Sequence, residues 1–204
     1  MHLRIAAWAV AALFSFGATA AIADPPNFDF NGFAQFDLQS AMKVATVLTN
    51  NGVVPTPIPL DFALNQYTLV VEATLDHATG IAQYYSPATI QIWADPHAGG
   101  TPADYANPAT FTDGTLILGG TFDGFLIRNT FFPTLGNFIG RVDWQNGTAL
   151  GQLVTPQDWP FGGGWSRSVA FIPDGYFEMW DGLIDLRAVG VTPQGWGAVK
   201  NLYR

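Results

Sequence analysis

The chain has 204 residues, no cysteine, and sixteen acidic against eight basic side chains, for a formal net charge of −8. That balance argues against nucleic acid and anionic membranes as partners, because both are gripped by lysine and arginine. Without cysteine, disulfides, thiolate zinc sites and thiol nucleophiles are excluded.

The first element in the chain is a leader. His2 and Arg4 open it, Ile5 to Phe16 is an apolar run without charge, and Ala21-Ile22-Ala23 precedes Asp24. Small residues before the cut suit signal peptidase, so residues 1–23 are expected to be a bacterial secretory signal peptide. The apolar run falls short of the roughly 20 residues that a membrane span needs. No later segment is long and apolar enough to span either. The mature chain, residues 24–204, is therefore expected as a single β domain, secreted or periplasmic, with no membrane span after cleavage.

Composition favours strands in that domain. Only Glu72 and Glu178 are glutamates and only Lys43 and Lys200 are lysines, so the good surface helix formers are scarce. Aspartate, 22 glycines and 14 prolines supply turn chemistry instead.

Ala34 to Gln39 and Met42 to Leu48 alternate apolar and polar, although Ala41 to Leu48 could also be helical. Val53 to Pro59 holds three prolines and reads as a loop. Tyr67, Leu69, Val71, Ala73 and Leu75 share one face, with Thr68, Glu72 and Thr74 opposite. Asp76 to Gly80 reads as a turn, followed by strands Ile81 to Tyr85 and Thr89 to Ala94. Asp95 to Asn107 is a polar loop. Asp123-Gly124 predicts a hairpin between Thr115 to Phe122 and Phe125 to Phe131. Gln145-Asn146-Gly147 predicts another, between Phe138 to Trp144 and Thr148 to Val154. Thr155 to Gly164, with three consecutive glycines, reads as a loop. Val169 to Ile172, Tyr176 to Trp180 and Leu183 to Val191 complete a meander through two further turns, the second at Asp181-Gly182. Short strands with regular turn signals predict an all-β fold: a two-sheet, jelly-roll-like sandwich first, a closed barrel second.

The segment Asp104-Tyr105-Ala106-Asn107-Pro108-Ala109-Thr110-Phe111-Thr112-Asp113-Gly114-Thr115-Leu116-Ile117-Leu118, with the strand Ile90-Gln91-Ile92-Trp93 before it, resembles bacterial exported β-sandwich proteins of the kind that often carry a PEP-CTERM sorting tail. The resemblance covers about a third of the mature chain. No Pro-Glu-Pro, spanning helix or basic end follows it in this sequence. It implies a surface or matrix role and carries over no catalytic residue.

Candidate chemistry is sparse. His77 follows Asp76, and His97 lies two residues after Asp95, but no spacing supplies further metal ligands. Asp95 and Asp104 are candidates for a loop calcium site, since loop carboxylates and carbonyls can hold that ion. No other cofactor is implied. Gly164-Trp165-Ser166-Arg167-Ser168 lacks the second glycine of a nucleophile elbow. Glu72 and Glu178 both fall on expected strands and could form the carboxylate pair of a glycan hydrolase. Trp159 and Trp165 bracket the glycine loop, where exposed indoles would stack on sugars or anchor a protein, and Trp93 shares a face with Gln91 and could project outward. The expectation is a non-catalytic exported protein with a binding or structural role in the envelope or matrix, its partner a polysaccharide or another envelope protein. A glycan-active hydrolase using Glu72 and Glu178 is one alternative, and a small-ligand carrier with a barrel interior is the other.

Overall fold

The computed structural model describes residues 26–37, 41–50, 52 and 54–185. The expected leader, the tail beyond Asp185, and with them Trp196 and most of the last expected strand lie outside the described residues.

Nine antiparallel strands form one sheet: β1 (Asn27–Phe36), β2 (Ala41–Thr49), β3 (Asn65–Thr79), β4 (Ala82–Pro96), β5 (Thr115–Phe122), β6 (Leu126–Phe132), β7 (Leu135–Asn146), β8 (Trp159–Ser166) and β9 (Glu178–Asp185). β9 pairs back onto β1 and β3 onto β4, so the sheet closes on itself as an eight-stranded barrel. The two-sheet sandwich expected first is therefore corrected to the second expectation. Closure satisfies the edge hydrogen bonds that a sandwich would have to protect. Among the described residues no helix is long and apolar enough to cross a membrane.

Nine strands fill eight positions because β5 and β6 are two halves of one. Thr121 pairs with Thr89 and Leu126 with Tyr85, both on β4. On the other side Phe122 pairs with Val142 and Ile127 with Ile139, both on β7. Asp123-Gly124 is thus a break within a strand and no hairpin. Gly124 has φ 73°, which serves a bulge-like kink as well as a tight turn. The two long neighbours, β4 and β7, each run past the break and hold both halves in line.

Several other boundaries move for related reasons. β3 continues through Asp76 and His77 to Thr79, and the turn falls at Gly80 and Ile81. Ala41–Thr49 is strand, with no helix. Thr148 to Val154 contains only the short 3-10 turn Leu150–Gln152. The expected loop around Gly162 to Gly164 is β8, and Asp181-Gly182 lies inside β9.

The interior explains two of those glycines, Gly163 and Gly182. Even-numbered residues of β5, β6, β7 and β9 point inward, as do odd-numbered ones of β3 and β8. The face of Tyr67, Leu69, Val71 and Ala73 is buried as expected, and Glu72 looks outward. An eight-stranded barrel is just wide enough for its side chains to fill. Here the filling is aromatic: Phe138 stacks on Trp180 at 4.0 Å, Phe30 on Phe161 at 5.4 Å, and Phe28 on Trp159 at 6.1 Å. Gly163 and Gly182 face each other across β8 and β9. A Cβ on Gly163 would lie 2.6 Å from the Phe138 ring, and one on Gly182 would lie 2.8 Å from it. At each position the Cβ would first meet a backbone oxygen of the paired strand, Asp181 O or Gly162 O, so both the close approach of β8 and β9 and the Phe138 ring call for glycine there. One barrel end is plugged by the segment after β2, where Ile58 is buried and Leu60 and Phe62 pack against the core. A second cluster lies outside the wall. Phe111 from the β4–β5 connection and Tyr176 from the β8–β9 connection cover Ala45 and Val70.

Gly182→Val should place methyls against Phe138 and Phe30 and lower stability by roughly 1–3 kcal/mol or more. Gly151→Ala, at a position with nothing within 4 Å, should be nearly neutral. Urea unfolding of both variants checks this.

Candidate functional site

The unplugged barrel end holds a polar cluster that grows from two strands. Arg128 on β6 and Glu178 on β9 both occupy inward positions, in line with Leu126 and Trp180. A charge on the apolar face of a strand must find a partner, because an isolated buried ion is very unfavourable. These two find each other. Arg128 Nε donates to Glu178 Oε1 at 2.8 Å and Nη2 to Oε2 at 2.6 Å. The side chains are 4 % and 0 % exposed.

The rest of the cluster completes the coordination. Trp180 Nε1 donates to Glu178 Oε1 at 2.9 Å, and Arg167 Nε donates to Oε2 at 3.3 Å. Arg128 Nη1 donates to Gln83 Oε1 at 2.8 Å and Thr130 Oγ1 at 3.1 Å. The ring of Trp165 lies 3.7 Å from the Arg128 guanidinium carbon, a close cation–π stack. The Tyr85 hydroxyl donates to Gln83 Oε1 at 3.3 Å. Burial pushes the Tyr85 hydroxyl up to about 12, Arg128 pulling it down and Glu178 pushing it up. It therefore keeps its proton at any physiological pH.

Above this floor is an open pocket of about 740 Å³. Gln83, Tyr85, Arg128, Thr130, Trp165 and Arg167 line its base. Phe36, Leu75, Ile81, Pro133 and Phe177 form apolar walls, with Asp37 at the side. Its size falls in the range of small-molecule sites, which combine apolar walls with a few placed polar groups.

The residues expected from the sequence fall elsewhere or do something else. Glu72 points out of β3, its side chain 59 % exposed, and pairs with Lys43 Nζ at 2.9 Å. Glu178 points inward with its lone pairs occupied by four donors. The two carboxyls lie on opposite faces of the wall, on strands separated by β1 and β2, so the hydrolase pair does not form. Trp159 and Trp165 are 1 % and 2 % exposed and belong to strand β8, which removes the basis for an exposed aromatic loop. The period of two sends both inward. Trp159 fills the plugged end, while Trp165 covers Arg128. Trp93 is half-buried on the outer face, its Nε1 donating to Gln91 Oε1 at 3.3 Å. His77 binds the Asp76 carboxylate at 2.7 Å and stacks on Tyr84 at 4.4 Å. His97 Nε2 contacts the Phe62 carbonyl at 3.3 Å. Asp104 Oδ1 accepts the Ala106 N–H at 2.9 Å in an Asx turn. No group of three or more metal-ligating side chains gathers at Asp95 or Asp104 among the described residues.

Arg128, Arg167, Gln83 and Tyr85 escaped the sequence reading. Alternation hid Arg128: on the expected strand Phe125 to Phe131 it shares a face with Leu126 and Thr130, opposite Phe125, Ile127 and Phe131, which reads as the solvent face. No family model, curated protein or solved structure matches this chain.

Removing either partner of the buried pair should destabilise the barrel by about 3–5 kcal/mol, by stranding the other charge. Glu178→Gln and Arg128→Met should each do so, and the double variant should recover part of the loss. A double-mutant cycle in urea checks the coupling. Tyr85 adds a pH dependence. Folded Tyr85 holds its proton to about 12, whereas the unfolded chain releases it near 10.0. Its contribution is complete below pH 10, and it is lost as pH rises toward 12. Tyr85→Phe should lose less stability than wild type across that window in alkaline unfolding titrations.

Proposed function

We propose that this chain is an exported, non-catalytic binding protein whose site is the open mouth of its barrel, where it takes up a small molecule. One observation carries the reading: a closed barrel, plugged at one end, opens at the other onto a pocket of about 740 Å³ over a hydrogen-bonded polar floor. The floor is preorganised. Arg128 is fixed by Glu178, Gln83 and Thr130 and covered by Trp165, so little side-chain freedom is left to lose on binding.

Export rests on the leader pattern of residues 1–23, and a role in the envelope or matrix follows from export. A small-ligand role takes precedence over polysaccharide recognition because the apolar walls and polar base converge on a concavity. The two tryptophans that would have offered a sugar platform are buried.

The test is a thermal-shift screen of small molecules on the exported form, purified from the periplasm and checked by sequencing for an N-terminus at Asp24. A ligand at a hundred times its Kd adds about 2.7 kcal/mol of stability, enough to move Tm by several degrees. The same compounds are run on Ala78→Trp, which puts an indole into the mouth. Hits that stabilise the wild type and fail on the variant support the reading. Hits that stabilise both equally, or no hits at all, overturn it.

A further inference from the structure

Among the described residues there are four lysine and arginine side chains. Lys43 is paired with Glu72 on the outer face, and Arg141 Nη1 with Asp158 Oδ1 at 2.6 Å. The other two, Arg128 and Arg167, converge on the single carboxylate of Glu178. On a chain of net charge −8, two of the four described cations thus gather at the mouth, where Glu178 and Asp37 balance them in formal charge. Asp37 is the carboxylate in the pocket lining, and its Oδ1 accepts the Ala41 N–H at 2.8 Å.

The donor and acceptor inventory is less even. The acceptors of the floor are turned toward the arginines. Glu178 Oε1 and Oε2 each receive two donors, Gln83 Oε1 receives Arg128 and Tyr85, and Thr130 Oγ1 receives Arg128. The groups left over are donors: the Gln83 amide N–H bonds, the Thr130 hydroxyl and the terminal amino groups of Arg167, while the Tyr85 hydroxyl gives its one proton to Gln83. Arg167 is anchored at its own backbone, where its N–H donates to the Thr134 carbonyl at 2.7 Å. Its side chain remains 47 % exposed at the rim. A ligand meeting this floor must bring acceptors, and an ionised acceptor makes the stronger, charge-assisted bond to the Arg167 guanidinium.

We propose, resting on the pocket reading above, that the ligand is an organic anion: an apolar, ring-sized body ending in a carboxylate. The head sits on the Arg167 guanidinium and the Thr130 hydroxyl. The body lies between Phe36, Leu75, Ile81 and Phe177. Arg167 is the specificity-determining residue, and Arg128 and Glu178 position it.

The probes are 2-naphthoate and its neutral counterpart 2-naphthamide, titrated calorimetrically into the exported protein at neutral pH and low salt. Naphthoate is expected to bind at least about tenfold more tightly than the amide, the discrimination of one charge-assisted hydrogen bond. Arg167→Gln, at a half-exposed rim position that leaves the buried pair intact, should erase that ratio while leaving amide binding unchanged. Ala78→Trp should block both probes. Ile139→Asp should change neither, because Ile139 lies in an apolar groove on the outer wall with Ile127 and Leu183.

Equal affinities, or a ratio that survives Arg167→Gln, overturn the organic-anion assignment. If Ala78→Trp still blocks both probes, the pocket reading stands without it. Naphthoate binding that survives Ala78→Trp and fails in Ile139→Asp places the ligand on the outer wall and sinks both. If neither probe binds while a neutral compound from the screen does, the anion assignment falls alone. If no compound binds at all, both fall.

Discussion

Closing eight strands into a ring fixes the width of the interior, and most of the other features follow from that width. Such a barrel has room for side chains and little else. Large rings pack inside only where a facing strand gives up its own side chain. Phe138 lies against Trp180 because Gly163 and Gly182 face it bare. Gly140 leaves space for Phe122 in the same way, its Cβ position lying 2.6 Å from that ring. The ring and glycine positions depend on each other, so the barrel is filled through its middle and its plugged end. Among the described residues, space remains where strands end and the filling stops, at the mouth.

At that mouth the barrel sets two charges where water is nearly excluded. The Arg128–Glu178 pair does not by itself make the protein more stable than an apolar substitute would. What it supplies is a fixed geometry. A bidentate fork, capped by an indole face and closed by Trp180 and Arg167, has one arrangement and leaves outward-facing donors in known places. That is the arrangement a selective binding floor requires. It is also why Glu178, with its lone pairs filled, is a poor candidate for proton transfer.

Part of this was legible before folding was considered. The all-β class followed from scarce glutamate and lysine, abundant turn formers and period two. The inward face of Tyr67, Leu69, Val71 and Ala73 followed from alternation alone. The errors cluster at glycine. Asp123-Gly124 and Asp181-Gly182 carry hairpin chemistry yet lie within continuous strand positions, and Gly162 to Gly164 reads as loop yet pairs on both sides. Local propensity does not distinguish a glycine that turns the chain from one that makes room for a ring, because the ring comes from another strand.

The sequence by itself determined the strand class, the absence of thiol chemistry, and the alternation that assigns each side chain to one face or the other. Only the tertiary structure decided that the sheet closes, that Trp159 and Trp165 turn inward, and that Glu72 and Glu178 part to opposite faces of the wall. It alone brought Arg128, 50 positions away in the chain, onto Glu178. The physical reason is that alternation is a property of neighbours, whereas closure and charge pairing depend on which strands meet. Strand register settles that only when the ring is complete.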